Sequence, residues 1–149
     1  MNSTLPSENV AISGVIDPDA NAAGAITSTY VDMGKFESAL AIILAGTLGS
    51  SGTLDAKLVQ ATDSSGTGVK DITGKAITQL TQAGTDSDKQ ALINVRAEDL
   101  DTDNGFNHVA IILTTATATS DSAAVLVGCN PRFSPASDND VSTVDEIVA

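Results

Sequence analysis

The side chains best suited to chemistry in this chain are few. His108 is the only histidine and Cys129 is the only cysteine. A zinc site or an imidazole base would therefore depend on His108 without a second imidazole. Cys129 follows an apolar run and a glycine, and no papain-like motif surrounds it. We interpret His108 as structural or solvent-facing and Cys129 as a buried, inert thiol.

Two acidic clusters place oxygen-bearing side chains at alternate positions, as calcium loops do. They are Asp99, Asp101, Asp103 and Asn104 in one cluster and Asp17, Asp19 and Asn21 in the other. An EF-hand requires glycine at its sixth position and glutamate at its twelfth. Counted from Asp99, those two positions hold Asn104 and Ala110. Counted from Asp17, they hold Ala22 and Ser28. The sequence therefore predicts no metal and no cofactor.

Aromatic residues, which line most carbohydrate clefts, make up only 3% of the chain. They are Tyr30, Phe36, Phe106 and Phe133. No glycine stands in a dinucleotide-binding or phosphate-loop pattern. We therefore predict that the chain is not an enzyme. A carbohydrate-binding module is a weaker alternative, and a hydrolase with paired aspartates among Asp99, Asp101 and Asp103 is the least supported.

The chain is strongly acidic, with 19 acidic and 7 basic residues and a net charge of −12. A nucleic-acid backbone would be repelled by that charge. The longest apolar stretch, residues 39–45, is much shorter than the roughly 20 residues that span a bilayer. Residues 1–7 lack the basic start and apolar run of a secretory signal. We expect a soluble protein made in a cytoplasm, binding neither nucleic acid nor membrane.

Short runs rich in β-branched and aliphatic residues recur along the chain and are typical of strands. The runs are residues 29–31, 39–48, 53–62, 69–80, 91–96, 109–117 and 123–129. Segments rich in glycine, serine, aspartate and asparagine, which tolerate turn dihedrals, separate several of them. This regular alternation of strand and turn predicts an all-β fold, an antiparallel β-sandwich or a jelly roll.

Three segments refine this prediction. Leu54, Ala56 and Leu58 alternate with polar residues, so they would share one face of a strand. Residues 36–45 also fit a helical spacing, but the glycine-serine turn and the strand that follow favour a hairpin. Residues 109–113 and 125–127 are apolar on both strand faces, which favours a subunit contact. The candidate oligomer or shell contacts are Val109, Ile112, Val125 and Val127.

Composition divides the chain into three parts. Residues 1–27 are rich in small and polar residues and contain Pro6 and Pro18, which predicts an N-terminal arm. Residues 28–129 form the predicted β-sandwich core domain. Residues 130–149 contain two further prolines and several acidic residues, which predicts a C-terminal acidic tail. Both arms could become ordered across neighbouring protein subunits, or they could be frayed termini.

Several phrases between residues 28 and 128 resemble a family of small structural proteins of tailed bacteriophages. They are "VDM", "DAKLVQATDSSGTGVKDITGKAITQL", "VRAEDLD" and "GFNHVAI". The resemblance implies a virion component found beside head genes, plausibly a decoration (cement) protein on the outer surface of the capsid. It supplies no catalytic residues.

A decoration role implies the major capsid protein as a partner and a location on the capsid surface of the virion. A symmetric oligomer on a symmetric lattice gains avidity from repeated contacts, and we expect a homo-oligomer, with a trimer favoured. A neck or tail structural component is the alternative reading within the virion.

Overall fold

A computed structural model describes residues 4–149, and ten strands dominate it. The strands are β1 (Val10–Asn21), β2 (Gly24–Thr27), β3 (Val31–Asp32), β4 (Phe36–Ala45), β5 (Thr53–Ala61), β6 (Lys70–Ala76), β7 (Leu80–Thr81), β8 (Gln90–Arg96), β9 (His108–Ala116) and β10 (Ser120–Pro131). A one-turn helix, α1 (Pro6–Asn9), precedes them. Three 3₁₀ turns complete the structure, at Ala97–Asp99, Thr102–Asn104 and Ala136–Asn139.

The strands form two sheets whose neighbouring strands are all antiparallel. Sheet A has the order β1-β10-β4-β8, and sheet B has the order β2-β9-β5-β6. The two short strands join sheet B, because β3 pairs with β9 and β7 pairs with β5. Buried side chains of both sheets form one hydrophobic cluster. The predicted all-β antiparallel sandwich is confirmed.

The strand order is that of a jelly roll. If β2 and β3 count as one strand, and β6 and β7 as another, the chain has eight strands in two sheets. The first then pairs with the eighth, the second with the seventh, the third with the sixth and the fourth with the fifth. Such a nested series of antiparallel pairs, divided between two facing sheets, defines the jelly roll among β-sandwiches.

Alternating burial explains why the central segments are strands. Leu54, Ala56 and Leu58 are buried in β5, as their spacing predicts. Residues 36–45, which also fit a helical spacing, form strand β4, and Ala41 and Ile43 are completely buried on its inner face. A period of two places one face of each strand against the opposite sheet. The strand prediction for this segment is confirmed.

The core is built mainly from aliphatic side chains, with one large ring. Phe36 is 1% exposed and lies against Gly128 of β10. A Cβ atom at position 128 would approach the ring to 2.6 Å, closer than real contacts allow. Glycine at that position therefore makes room for the only aromatic side chain of the core cluster.

The predicted N-terminal arm, residues 1–27, is wrong for residues 10–27. Strand β1 pairs with β10 from Val10 opposite Cys129 to Asn21 opposite Ser120, and β2 pairs with β9. Pro18 does not break β1, because it falls where the pairing with β10 shifts register between Ile16 and Asp19. Residues 1–3 of the predicted arm lie outside the described residues.

The predicted C-terminal tail, residues 130–149, is partly integrated into the fold. Strand β10 continues to Pro131, and Ala136 is completely buried in the core cluster. Further on, Asp140 Oδ1 accepts a 2.7 Å hydrogen bond from the backbone N–H of Ile12. The backbone N–H of Val141 donates to the carbonyl of Ile12, also at 2.7 Å. The tail thereby covers part of the open edge of β1, which would otherwise present unpaired backbone groups.

Within residues 4–149, no helix has the length and apolar character that crossing a bilayer requires.

The burial of Phe36 predicts a large difference between two substitutions of the same type. Phe36→Ala should lower the free energy of unfolding by about 3–5 kcal/mol, because it leaves a cavity beside Gly128. Phe133→Ala is the matched control, because that ring is 82% exposed, and its effect should stay within about 0.5 kcal/mol. Urea unfolding measures both. Equal effects would contradict the assignment of Phe36 to the core.

Candidate interaction surface

The outer face of sheet A is apolar on its central strands β10 and β4, and one row of apolar side chains reaches all four strands. One row crosses the entire sheet in the order Val15, Val125, Ile42 and Leu92. The next row holds Ile12, Val127 and Leu40 and ends in Asn94. We call this set of outward side chains the apolar face; its members are Val10, Ile12, Val15, Leu40, Ile42, Leu44, Leu92, Ala123, Val125 and Val127. No member is charged.

The apolar face arises because the two central strands of sheet A are apolar on both sides. On β4, Ala41 and Ile43 point to the core, whereas Ile42 and Leu44 point outward. The most exposed member is Leu92 on β8, with 61% of its surface accessible. Antiparallel sheets usually turn polar residues toward solvent. An apolar patch of this kind is therefore a candidate site of interaction with another molecule.

The dimensions of the apolar face follow from sheet geometry. Four strands spaced about 4.8 Å apart make it about 19 Å wide, and seven residues at about 3.3 Å each make it about 23 Å long. Its projected area is therefore roughly 440 Å². A patch of this size falls in the range of the largest patches on monomeric proteins, roughly 300–600 Å², which are often functional.

The outer face of sheet B is different, because it carries charged and polar side chains. Lys57 Nζ lies 2.7 Å from Asp71 Oδ1, which joins β5 to β6. Gln79 Nε2 donates a 2.7 Å hydrogen bond to Asp55 Oδ2. These groups are solvated on the free molecule. The two outer faces of the sandwich therefore differ in polarity, and sheet A presents the apolar one.

The structure separates the four predicted contact residues. Val109 is completely buried in the core, so its prediction as a contact is wrong. The alternation of β9 turns Val109 inward and Ile112 outward, where Ile112 lies beside Lys57 on sheet B. Val125 and Val127 both belong to the apolar face. Their role in a contact stays a prediction.

Sequence reasoning missed most of the apolar face. Leu40 and Ile42 lie in a run that is apolar at consecutive positions, which is the same signal that pointed to Val125 and Val127. That signal could have identified them. Val15 and Leu92 stand beside Ile16 and Ile93, so the same signal is present there, but over shorter runs. Only the register of the sheet brings them into one row.

A groove of about 420 Å³ opens at one end of the apolar face. Its lining includes Leu44 and Ala123 from the face, together with Pro18, Asp19 and Asp121. The groove is mainly apolar, with two carboxylates near its rim. It extends the apolar face beyond the end of β4.

His108 and Cys129 are not brought together. His108 points outward from sheet B, and its Nδ1 lies 2.6 Å from Asn107 Oδ1. Cys129 points outward from sheet A, next to Val127 on the same strand. Cys129 is half-buried, and burial raises the pKa of its thiol. The two side chains therefore lie on opposite outer faces of the sandwich.

Lysines neutralise the acidic cluster at residues 99–104. Lys70 forms an ion pair with Asp101, and Lys75 Nζ lies 3.2 Å from Asp99 Oδ2. The hydrogen bond from Lys70, followed by that from Asn104, holds the pKa of Asp101 below its usual value. The backbone N–H of Arg96, followed by Lys75, lowers the pKa of Asp99. Among residues 4–149, no group of three or more histidine, cysteine, aspartate or glutamate side chains could hold a metal ion.

The four aromatic rings are dispersed. Phe36 is in the core, and Phe106 lies beneath Lys70, whose Nζ is 4.0 Å from the ring centroid. Tyr30 lines a polar cleft of about 300 Å³ whose other walls include Lys35. Phe133 is exposed in the segment after β10. Tyr30 and Phe106 nevertheless border the same turn, beside Gly66 and Gly68.

No known protein family matches the chain, and no curated protein matches it. Several solved structures show weak similarity to it. A chain of Broad Bean Stain Virus is 10% identical with a TM-score of 0.42, and the match covers 72% of this chain and 62% of the viral one. A chain of the Cowpea Mosaic Virus empty virus-like particle is 11% identical with a TM-score of 0.43, covering 89% and 83%. A cellulose-specific carbohydrate-binding module, CBM28, is 12% identical with a TM-score of 0.45, covering 80% and 72%.

The ion pair of Asp101 predicts a pH dependence of stability. Because its pKa is lowered in the folded state, the contribution of Asp101 to stability is present above its unfolded pKa of about 3.9. That contribution is lost as the pH falls through the lower, folded value. Asp101→Asn should therefore destabilise the protein at pH 7, and the difference from the original chain should shrink below pH 4. Urea unfolding at several pH values measures this difference.

Asp103→Asn is the matched control, because Asp103 lies in the same turn and takes part in none of the ion pairs found among the described residues. Its effect on the free energy of unfolding at pH 7 should be smaller than that of Asp101→Asn, because it breaks no ion pair. A difference between Asp101→Asn and the original chain that stays constant down to pH 3 would contradict the role of the Lys70 contact.

Proposed function

We propose that this protein is a structural component of a virion, a decoration (cement) protein that binds the outer surface of a phage head. The apolar face of sheet A is the observation that carries the proposal. It is a continuous uncharged surface on a chain with a net charge of −12, and burial of that face against protein is its most favourable use. The proposed role is contact and stabilisation, without a catalytic step.

The size of the apolar face suits an assembly with many repeated contacts. Burial of this area contributes at most about 11 kcal/mol at about 25 cal/mol per Å², because the roughly 440 Å² also includes polar positions such as Gln90 and Asn94. Association of two molecules costs about 4–15 kcal/mol before any gain appears. One such contact is therefore of marginal strength alone. On a symmetric shell, contacts that occur together raise the overall avidity without any single strong site.

The acidic surface suits a protein that accumulates in solution before it binds to the particle. Repulsion between copies of charge −12 opposes unspecific aggregation in spite of the exposed apolar face. The edge of β1 is also protected, because the tail supplies hydrogen bonds to Ile12. The free molecule thus has one surface suited to a specific contact, the apolar face, whereas its charge and the covered part of the β1 edge oppose other associations.

The jelly-roll topology agrees with this proposal, since the fold occurs in viral capsid domains, although it also occurs in lectins. The resemblance of residues 28–128 to small structural proteins of tailed phages favours the virion. The major capsid protein is the proposed partner, and the capsid surface is the proposed location. The protein would be made in the cytoplasm of the bacterial host.

Cryo-electron microscopy of the intact particle tests the location. The expected result is density for this jelly roll repeated over the whole shell, on its outer surface. Density confined to the neck or the tail would overturn the decoration role in favour of the neck or tail alternative. Particles without any such density, together with binding on a glycan array, would favour a carbohydrate-binding module.

A pair of substitutions tests whether the apolar face is used in assembly. Leu92→Asp places a charge on the most exposed residue of the face, and should reduce the number of copies per particle at least tenfold. Val69→Asp is the matched control, because Val69 is also largely exposed but precedes β6 in sheet B. It should leave the copy number unchanged. Quantitative mass spectrometry of purified particles measures both, and equal incorporation of the two variants would contradict the use of the face.

A further inference from the structure

We infer that the apolar face of sheet A packs against the same face of a second copy of this chain. The inference rests on the proposed use of this face in assembly, and it names the partner. Neither terminal segment that the structure describes covers the apolar face, so we infer that the molecule packed against it is not another part of the same chain. The tail binds the edge of β1 at Ile12, and α1 precedes β1.

Charge favours an identical partner. Two copies of this chain repel each other wherever their acidic surfaces meet, because each has a net charge of −12. The apolar face is the surface on which that repulsion is weakest, since none of its members is charged and Asp19 and Asp121 lie only at its end, in the groove. A basic partner would be attracted to the acidic surfaces and not to this one. A second copy offers a neutral face of the same size.

The polar groups are arranged as in a protein interface. The central strands β10 and β4 contribute Val125, Val127 and Ile42, which lie in the middle of the face. Asn94 and Arg96, on the outermost strand β8, lie at its margin. Arg96 is paired there with Glu98, at 3.1 Å between Nη1 and Oε1. An apolar centre with a polar, solvated rim is the usual organisation of such contacts.

The area is close to that of the smallest specific interfaces. Both copies would bury the same face, so the two projected areas add up to about 900 Å². The accessible area is larger, because side chains protrude from the plane of the sheet. Specific interfaces bury at least about 1,000 Å² in total. Two sheets can stack face to face about 10 Å apart with their strands within about 30° of each other. The pair would be a four-layered molecule with both copies of sheet B on the outside.

This geometry favours a two-fold pair over the trimer expected from the sequence. An interface in which one patch meets the same patch on another copy closes after two subunits. A three-fold ring requires two different patches that fit each other. The apolar face is a single patch that crosses the whole of sheet A.

Sedimentation equilibrium of the purified full chain, without any shell protein, tests the inference. The expected mass is twice the 15.0 kDa of one chain. Association should strengthen as NaCl rises, because salt screens the repulsion between two acidic copies and leaves apolar contact intact. A monomer at all concentrations, a trimer, or association that weakens with salt would each overturn the inference.

Variants show which face is responsible. Leu92→Asp should weaken self-association at least tenfold, and Val69→Asp should leave it unchanged. If Leu92→Asp fails to fold, as judged by circular dichroism, Leu92→Ser takes its place with the same expected direction. A variant at Leu92 that folds and still pairs with the original affinity would overturn the inference.

Cys129 provides a readout that needs no substitution, because it borders the apolar face next to Val127. Its rate of modification by a maleimide should fall at least fivefold between dilute and concentrated protein. A rate that is independent of concentration would overturn the inference. The particle experiments with Leu92→Asp test a separate point. If the chain is monomeric in solution but still coats the shell, the pair is refuted and the virion role is not. If the chain pairs in solution but is absent from particles, the virion role is refuted and the pair is not.

Discussion

The rest of the structure depends on one constraint, which is that β10 is apolar on both faces at the centre of sheet A. Its inner side chains, Ala124 and Leu126, are completely buried against the core. Its outer side chains, Val125 and Val127, stand between β1 and β4 in the apolar face. A central strand of this kind is most stable when both of its sides are covered. Sheet B covers the inner side, and the proposed contact would cover the outer side.

Charge is distributed in agreement with that constraint. Five of the seven basic residues form ion pairs. Three of these pairs involve lysines on β5 or β6 of sheet B, and one pair, that of Arg96 with Glu98, lies at the margin of the apolar face. The interior of that face has no charged group. The molecule therefore combines a highly charged exterior with one neutral surface, which allows solubility and a specific contact together.

Local patterns in the sequence predicted the fold class and several strands, because burial on alternate residues is a local property. Leu54, Ala56 and Leu58 show this directly, and so does β4 once its alanines are interpreted as inward positions. The N-terminal strands were missed because β1 contains Pro18 and many small polar residues, which are typical of a loop. The partner strand β10 stabilises β1 nonetheless, and no property of residues 10–21 alone reveals that pairing.

The candidate surface was predictable only in part, for a related reason. A consecutive apolar run shows that both faces of a strand are covered, but it does not show which residue faces which way. Val109 was assigned to a contact and lies in the core, whereas Val125 and Val127 lie outside. Register and sheet order decide this, and both depend on residues far apart in the chain.

The nested topology also determines when during synthesis the apolar face can exist. β10 is the last of the ten strands to leave the ribosome, and it is the strand that joins β1 to β4. Until β10 emerges, β1 has no neighbour in sheet A, and the rows that cross the sheet are incomplete. Contacts of high sequence separation form late in folding. Nascent chains on one messenger RNA therefore cannot associate through this surface before each has been translated past Pro131.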